Sequence, residues 1–237
     1  MMIMTLDSKY NNAKNVTVFG DSILKGTVYD EEAGIYRNNK ENSVKLVSDA
    51  LGIPIDNQSK FGITSSQMLE RMKKYLESHH VDIMVVEVGG NDANYPWDQI
   101  ANNNTIDYDS VVSLKTFESN ITEMIALIRS YNIKPLMLSL PPINAQRYFN
   151  FISQKVDGEK VKSWLGDVET IYRHQEMFNA ALTQIVLKED VDLLDIRSEL
   201  LSIRDLTPYM CIDGLHYNEK GQILISEIVK TALNEII

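Results

Sequence analysis

Four short stretches of the chain carry side chains suited to acyl transfer, and they follow one another in a consistent order. Gly20-Asp21-Ser22 ends an apolar run at 16–19, and an isolated Gly62 sits between a short strand pattern and a helix pattern. Gly89-Gly90-Asn91-Asp92 ends a second apolar run, and Asp213-Gly214-Leu215-His216 lies close to the C-terminus. A hydroxyl, an amide, a carboxylate and an imidazole are the groups that cleave an ester at neutral pH. Ser22 is the candidate nucleophile; a free serine hydroxyl is too weakly acidic to attack unaided and needs a base beside it.

His216 is the candidate base. Of the four histidines, His79 and His80 fall near a helix C-terminus, where a cation is favourable without any chemistry. His174 falls in a helix between Arg173 and Gln175 and is expected to be solvated. Only His216 follows the last core strand and precedes the last helix, at the same sheet end as Ser22. Asp213 lies three residues before it, a spacing that points two side chains the same way on a tight turn. Its carboxylate can accept from Nδ1 and leave Nε2 free for the serine proton. Asn91 and Gly62, with the Ser22 backbone N–H, are the candidate oxyanion donors, since a preplaced N–H there opposes the charge of the tetrahedral intermediate. Gly62, lacking a side chain, lets its N–H come close to a substrate.

Each residue also has an ordinary structural reading. Ser22 fits an N-cap where the chain turns toward a helix, Gly62 fits a plain turn, and Asp213 fits a cap. Gly89 and Gly90 look the same in any turn that leaves a strand. Asp21 competes with Asp213 on chemical grounds, but adjacent side chains rarely converge on one partner, so Asp21 reads as holding the turn. Asp92 reads as securing its own turn.

The elements that must position these groups are legible from periodicity. Strands are expected at 16–19, 53–57, 83–88, 135–140 and 192–196. Helices are expected at 42–51, ended by Gly52; after Thr64-Ser65-Ser66, with Met68, Leu69, Met72 and Leu76 inward; at 117–131; at 169–188; and after Asn218, with a core stripe of Ile225, Ile228, Val229, Ala232 and Ile236. Strand alternates with helix, and short connections and core strands read as uncharged argue for a parallel sheet covered on both faces. The expected fold class is α/β, three layers (α/β/α), as a single domain over 1–237 with long loop insertions near 93–116 and 143–168. Loops of that length are usually functional or disordered, and both leave the C-terminal ends of strands, where such sheets bind ligands. Tyr95, Trp97 and Tyr148 in them, with Tyr108 and Trp164, are candidate substrate-binding walls; as aromatics they also fit packing.

Bulk properties narrow the partners. Of 237 residues, 33 are acidic and 23 basic, for a formal net charge of −10, which leaves no basic patch for a nucleic-acid backbone or an anionic membrane surface. The single cysteine, Cys211, allows no intrachain disulfide. No metal or cofactor is signalled: there is no Cys-x-x-Cys, no paired-histidine ligand spacing and no glycine-rich phosphate loop. The N-terminal stretch 1–15 has no basic start with a long apolar run, and no segment approaches the ~18 apolar residues of a membrane span. A cytoplasmic location is the expectation, with non-Sec export left open.

Taken together, the four stretches resemble the SGNH hydrolases, or GDSL esterases/lipases. Gly20-Asp21-Ser22-Ile23 matches the family's first motif, with isoleucine where leucine is usual. Gly62 best matches its lone glycine, Gly89-Gly90-Asn91-Asp92 its Gly-x-Asn-Asp, and Asp213-Gly214-Leu215-His216 its Asp-x-x-His. The resemblance implies a five-stranded parallel sheet in the flavodoxin-like order 2-1-3-4-5. It further implies an acyl-enzyme on Ser22 with a Ser22, Asp213, His216 triad and an oxyanion hole of Ser22, Gly62 and Asn91. Tyr217 departs from the pattern, standing where proline is common, and bears on the edge of the site. The function implied is a serine esterase acting on small acyl or carbohydrate-linked esters. An acyltransferase using the same site and a non-catalytic binding module on the same fold are the alternatives. The oligomeric state is not legible.

Overall fold

The computed structural model describes residues 15–236, and side chains through 233. The stretch 1–14 and the Ile236 side chain, both read above, lie outside the described residues. In chain order the first elements are β1 (Val16–Phe19), β2 (Thr27–Asp30), β3 (Ile35–Asn38), α1 (Ser43–Leu51), β4 (Ile55–Asn57), α2 (Ser65–Leu76) and β5 (Ile83–Val86). There follow α3 (Trp97–Asn102), α4 (Leu114–Ser130), β6 (Lys134–Leu138), α5 (Ala145–Ile152), α6 (Gly158–Leu165) and α7 (Thr170–Lys188). The chain closes with β7 (Asp192–Leu194), α8 (Ile196–Ser202), a 3₁₀ turn at Thr207–Tyr209 and α9 (Glu219–Ile236).

β1, β4, β5, β6 and β7 pair in parallel in the order β4-β1-β5-β6-β7. Counted within this sheet alone, that is the expected 2-1-3-4-5. Successive side chains on a strand face opposite ways, and the core divides accordingly. Phe19, Met84, Val86 and Met137 pack with Met68 and Met72 of α2, Phe117 and Ile121 of α4, and Phe178 of α7. Val18, Ile83, Leu136 and Leu138 pack on the other face with Val44 of α1, Leu200 of α8 and Ile225 of α9. Fully burying each such side chain contributes about 1.5–3 kcal/mol, so the two apolar layers fix the sheet between helices. Local signals set the helix ends. Asn42 accepts the Lys45 N–H at the start of α1, Gly52 ends that helix, and Asn218 accepts the Gly221 N–H at the start of α9.

Several elements differ from expectation. No helix follows Ser22 directly. The chain makes one helical turn, with Lys25 N–H donating to Asp21 O, and Gly26 (φ 75°) then sends it into the antiparallel hairpin β2–β3. The segments near 93–116 and 143–168 are not bare loops. They hold α3, α5 and α6, which form a third apolar cluster around Tyr95, Ile100, Tyr148, Ile152, Val161 and Leu165. The last strand stops at Leu194 because Asp195 caps α8, accepting from Ser198 N. Among the described residues no helix is long and apolar enough to cross a membrane.

Candidate active site

β1 delivers Ser22 to the C-terminal edge of the sheet, and the turn before α9 delivers Asp213 and His216 to the same edge. His216 Nε2 lies 2.9 Å from Ser22 Oγ, and His216 Nδ1 lies 2.6 Å from Asp213 Oδ2. The carboxylate is an acceptor only, so it takes the Nδ1 proton and leaves Nε2 to accept from the serine hydroxyl. All three groups are buried, at 7%, 0% and 5% exposure for Ser22, Asp213 and His216. Asp213 Oδ1 accepts the backbone N–H groups of Leu215 and His216, each at 3.0 Å. Burial pushes the Asp213 carboxyl up, but the hydrogen bond and charge of His216 and these two N–H groups outweigh it and hold it below its ordinary range. Gly214 takes φ 70°, and a Cβ there would come within 2.6 Å of Asn144 O. Only glycine lets this turn press against the start of α5 and aim both side chains at Ser22.

Asn91 leaves β5 through Gly89 and Gly90 and is half-buried beside Ser22. Its Nδ2 donates to Asp21 Oδ2 at 3.2 Å and to Ile63 O at 3.1 Å. Gly62 lies in the exposed turn before α2 with φ 70°, between two residues of the site. Phe61 stacks its ring on His216 at 5.9 Å, and Ile63 supplies the carbonyl that receives Asn91. Asp21 does hold its turn, accepting from Ile23 N at 2.8 Å. The Asp92 carboxylate accepts its own backbone N–H, as expected of a residue that secures this turn, and it extends further. It reaches across to α2, where both its oxygens accept the Ser65 N–H and it also pairs with the Ser65 hydroxyl.

Sequence reasoning passed over three residues here. Glu87 interrupts the apolar run 83–88, and that single charge was the available signal. It is 1% exposed and accepts the Asp21 backbone N–H at 3.1 Å. Burial and the adjacent Asp21 charge raise its carboxyl well above the ordinary range. Asn94 ties the aromatic wall together: its Oδ1 accepts from Trp97 Nε1 and Tyr148 Oη, both at 2.8 Å. Tyr36 comes from the hairpin that periodicity did not reveal, and its hydroxyl donates to Asp213 Oδ2 at 3.0 Å.

The site opens on a cavity of about 380 Å³. Ser22, Asn91 and His216 line one end; Tyr95, Trp97 and Tyr148 stand further along, with Ile143, Ile152 and Ile171 as its apolar wall. Burial pushes the Tyr148 hydroxyl up to about 12, so it stays protonated. Tyr108 and Trp164 do not line the cavity; Trp164 donates to Ile106 O and packs against Tyr95. His174 is not solvated as expected but is half-buried and stacks on Tyr95 at 4.4 Å, and burial lowers its tendency to take a proton. Tyr217 does not shape the edge of the site. It is wholly buried and donates to Pro142 O at 2.8 Å. Buried Arg197 donates to Leu140 O at 2.8 Å, and Gln175 donates to Pro141 O at 2.9 Å, which fixes the strand exit that floors the cavity.

The model of the GDSL-like lipase/acylhydrolase family matches residues 18–224 of this sequence. The chain belongs to that family. As a GDSL-like acylhydrolase it is a carboxylic-ester hydrolase, and the match spans every candidate residue from Ser22 to His216. Solved structures share its fold. A lipase/acylhydrolase from Enterococcus faecalis is 18% identical, with 93% of this chain and 95% of that one covered at a TM-score of 0.66. The psychrotrophic esterase EstA from Pseudoalteromonas sp. is 21% identical over 94% and 97%, at 0.61. A GDSL-like lipase from Bacteroides thetaiotaomicron is 18% identical over 94% and 89%, at 0.61. At these identities the likeness to the GDSL-like chain is one of architecture. No curated protein matches the sequence.

Proposed function

We propose that this GDSL-like hydrolase is a serine esterase that cleaves small acyl or carbohydrate-linked esters through an acyl-enzyme on Ser22. The observation that carries the reading is the unbroken relay from Ser22 Oγ through His216 to Asp213, at 2.9 and 2.6 Å. Ser22 Oγ attacks the ester carbonyl as His216 Nε2 takes its proton, and Asp213 stabilises the imidazolium that forms. The oxyanion is received by the N–H groups of Ser22 and Gly62 and by Asn91 Nδ2. The two internal bonds of Asn91 sit at the long end of the N–H···O range, so one is readily exchanged for the substrate oxygen. His216 then protonates the departing alcohol, and water repeats the sequence to release the acid.

The substrate class rests on the cavity. Its apolar wall suits an acyl group, while Trp97, Asn94, Asp98 and Gln175 add an aromatic face and polar groups of the kind that hold a sugar. The test is an ester panel, from acetylated sugars to medium-chain acyl esters, run beside Ser22→Ala. The variant is expected to keep its fold, by circular dichroism, and lose ester cleavage. Cleavage near the wild-type rate in Ser22→Ala rejects the nucleophile, and a clear preference for the longest acyl chains rejects the substrate class.

A further inference from the structure

We propose that Tyr36, carried on the β2–β3 hairpin, is a positioning residue that sets how strongly Asp213 holds the His216 imidazole. The inference rests on the Ser22–His216–Asp213 reading above and adds to it a fourth member from an element outside the α/β layers.

The hairpin reaches the site without belonging to either core layer. Ile35 and Arg37, on both sides of Tyr36 in β3, are exposed. Tyr36 itself is half-buried, and its ring meets those of His216 at 5.0 Å, Phe61 at 5.2 Å and Tyr29 at 5.1 Å. Tyr29 in turn packs edge-on against Phe151 of α5, and its N–H donates to Cys211 Sγ, so the hairpin is docked on both flanks. The Tyr36 ring also lines the substrate cavity. It therefore sits over the imidazole and faces the ligand space.

Its hydroxyl completes the coordination of the carboxylate. An ionised carboxylate offers about four lone-pair sites, and Asp213 fills them with Leu215 N–H, His216 N–H, His216 Nδ1–H and Tyr36 O–H. Tyr36 and His216 share the same oxygen, Oδ2. A donor on that oxygen draws charge away from the imidazole and fixes the direction in which the carboxylate points. Burial, and then the Asp213 charge, raise the Tyr36 hydroxyl well above its ordinary range, so it stays a donor throughout the working pH. Without it, the carboxylate charge concentrates on the imidazolium. The imidazolium is then held more firmly, and base function is lost at a higher pH than in the intact chain.

Other ionisable groups face this cluster. Cys211 and Tyr148 flank Asp213 and stay protonated, raised by burial to about 11 and about 12. Asp21 faces His216, with Glu87 behind it. Arg147 donates to the carbonyls of Thr207, Met210 and Cys211, and on the hairpin Arg37 pairs with Asp30 at 3.0 Å, beside Tyr29. Of these, Asp21 and Glu87 are the carboxyls that burial raises, so the experiment is run with and without Glu87.

The experiment measures kcat/KM against pH for wild type, Tyr36→Phe and Tyr29→Phe with 4-nitrophenyl acetate, the first two also in a Glu87→Gln background. Each protein is first treated with an organophosphonate and mapped by mass spectrometry. Tyr36→Phe is expected to keep its fold, to label at Ser22, and to shift its acidic limb upward by about half to one pH unit in both backgrounds. Tyr29→Phe is expected to leave the limb in place. A labelled, folded Tyr36→Phe whose limb moves by less than about 0.2 pH unit overturns the proposal; so does a shift that vanishes in Glu87→Gln. If Tyr36→Phe does not fold, Tyr36→Trp is read by the same criterion, and failure of both to fold assigns Tyr36 a structural role and overturns it too. Wild type that does not label at Ser22 sinks the underlying esterase reading instead.

Discussion

Asn91 Nδ2 donates to Asp21 Oδ2 at 3.2 Å, across 70 positions of sequence. Because Glu87 in turn receives the Asp21 backbone N–H, a polar chain runs beside Ser22 and aims the Asn91 amide. Asn91→Ala is expected to lower kcat by roughly 10²–10³, the loss of one oxyanion donor. Steady-state kinetics check this; an effect confined to KM would make Asn91 a substrate-binding residue only.

Asp213→Asn replaces an acceptor-only group with one that can donate to His216 Nδ1 and so favours the wrong tautomer. The expected loss in kcat is on the order of 10⁴, with the fold retained. A loss of ten-fold or less (about 1.4 kcal/mol) would mean that another acceptor orients the imidazole.

Asp92 makes stability depend on pH in an unusual direction. Burial, against its bonds to Ser65, raises its carboxyl from 3.8 to about 6. The folded chain therefore holds this proton more tightly than the unfolded one. The resulting stabilisation is complete below about 4 and fades as pH rises through about 6, a span of about 3 kcal/mol. Asp213 acts the other way: held low, it stabilises above 3.8 and loses that contribution as the pH falls through its folded value. Urea unfolding at pH 5 and pH 7.5 is expected to show wild type more stable at pH 5, with the difference reduced in Asp92→Asn. An unchanged difference in the variant would place its source elsewhere, Glu87 first.

Trp97 stands on the cavity wall with its Nε1–H bonded to Asn94 and Tyr148. Trp97→Ala is expected to raise KM for acetylated sugars by about ten-fold, near 1.4 kcal/mol, while leaving kcat within about two-fold. An equal fall in kcat and kcat/KM would instead place Trp97 in the transition-state contacts.

The sheet and its order were legible because strands covered on both faces read as apolar runs and glycines mark their exits. Two of the site stretches, at Ser22 and Asn91, were legible because they fall at such exits, and the other two because a glycine or a short Asp-x-x-His spacing marks a turn just before a helix. Short elements were not: α3 has six residues, and β2 and β3 four each, too few for a period to show. Tyr36 was missed with its hairpin, since nothing local marks a tyrosine in an exposed strand as the partner of an aspartate 177 positions away. Glu87 stands as a lone charge in a core strand, masked by the apolar run on both sides of it. His174 was misread because the polar neighbours Arg173 and Gln175 suggested a solvated face, whereas Gln175 is itself buried.

The proposed esterase reaction requires a covalent bond between the substrate acyl group and Ser22. Rapid quenching during turnover of 4-nitrophenyl acetate, followed by intact-protein and peptide mass spectrometry, observes it directly. The predicted result is one acetyl group on the peptide containing Ser22, accumulating in a burst and absent from Ser22→Ala. An acetyl group on another residue, or steady product release with no adduct at any quench time and no burst, contradicts it.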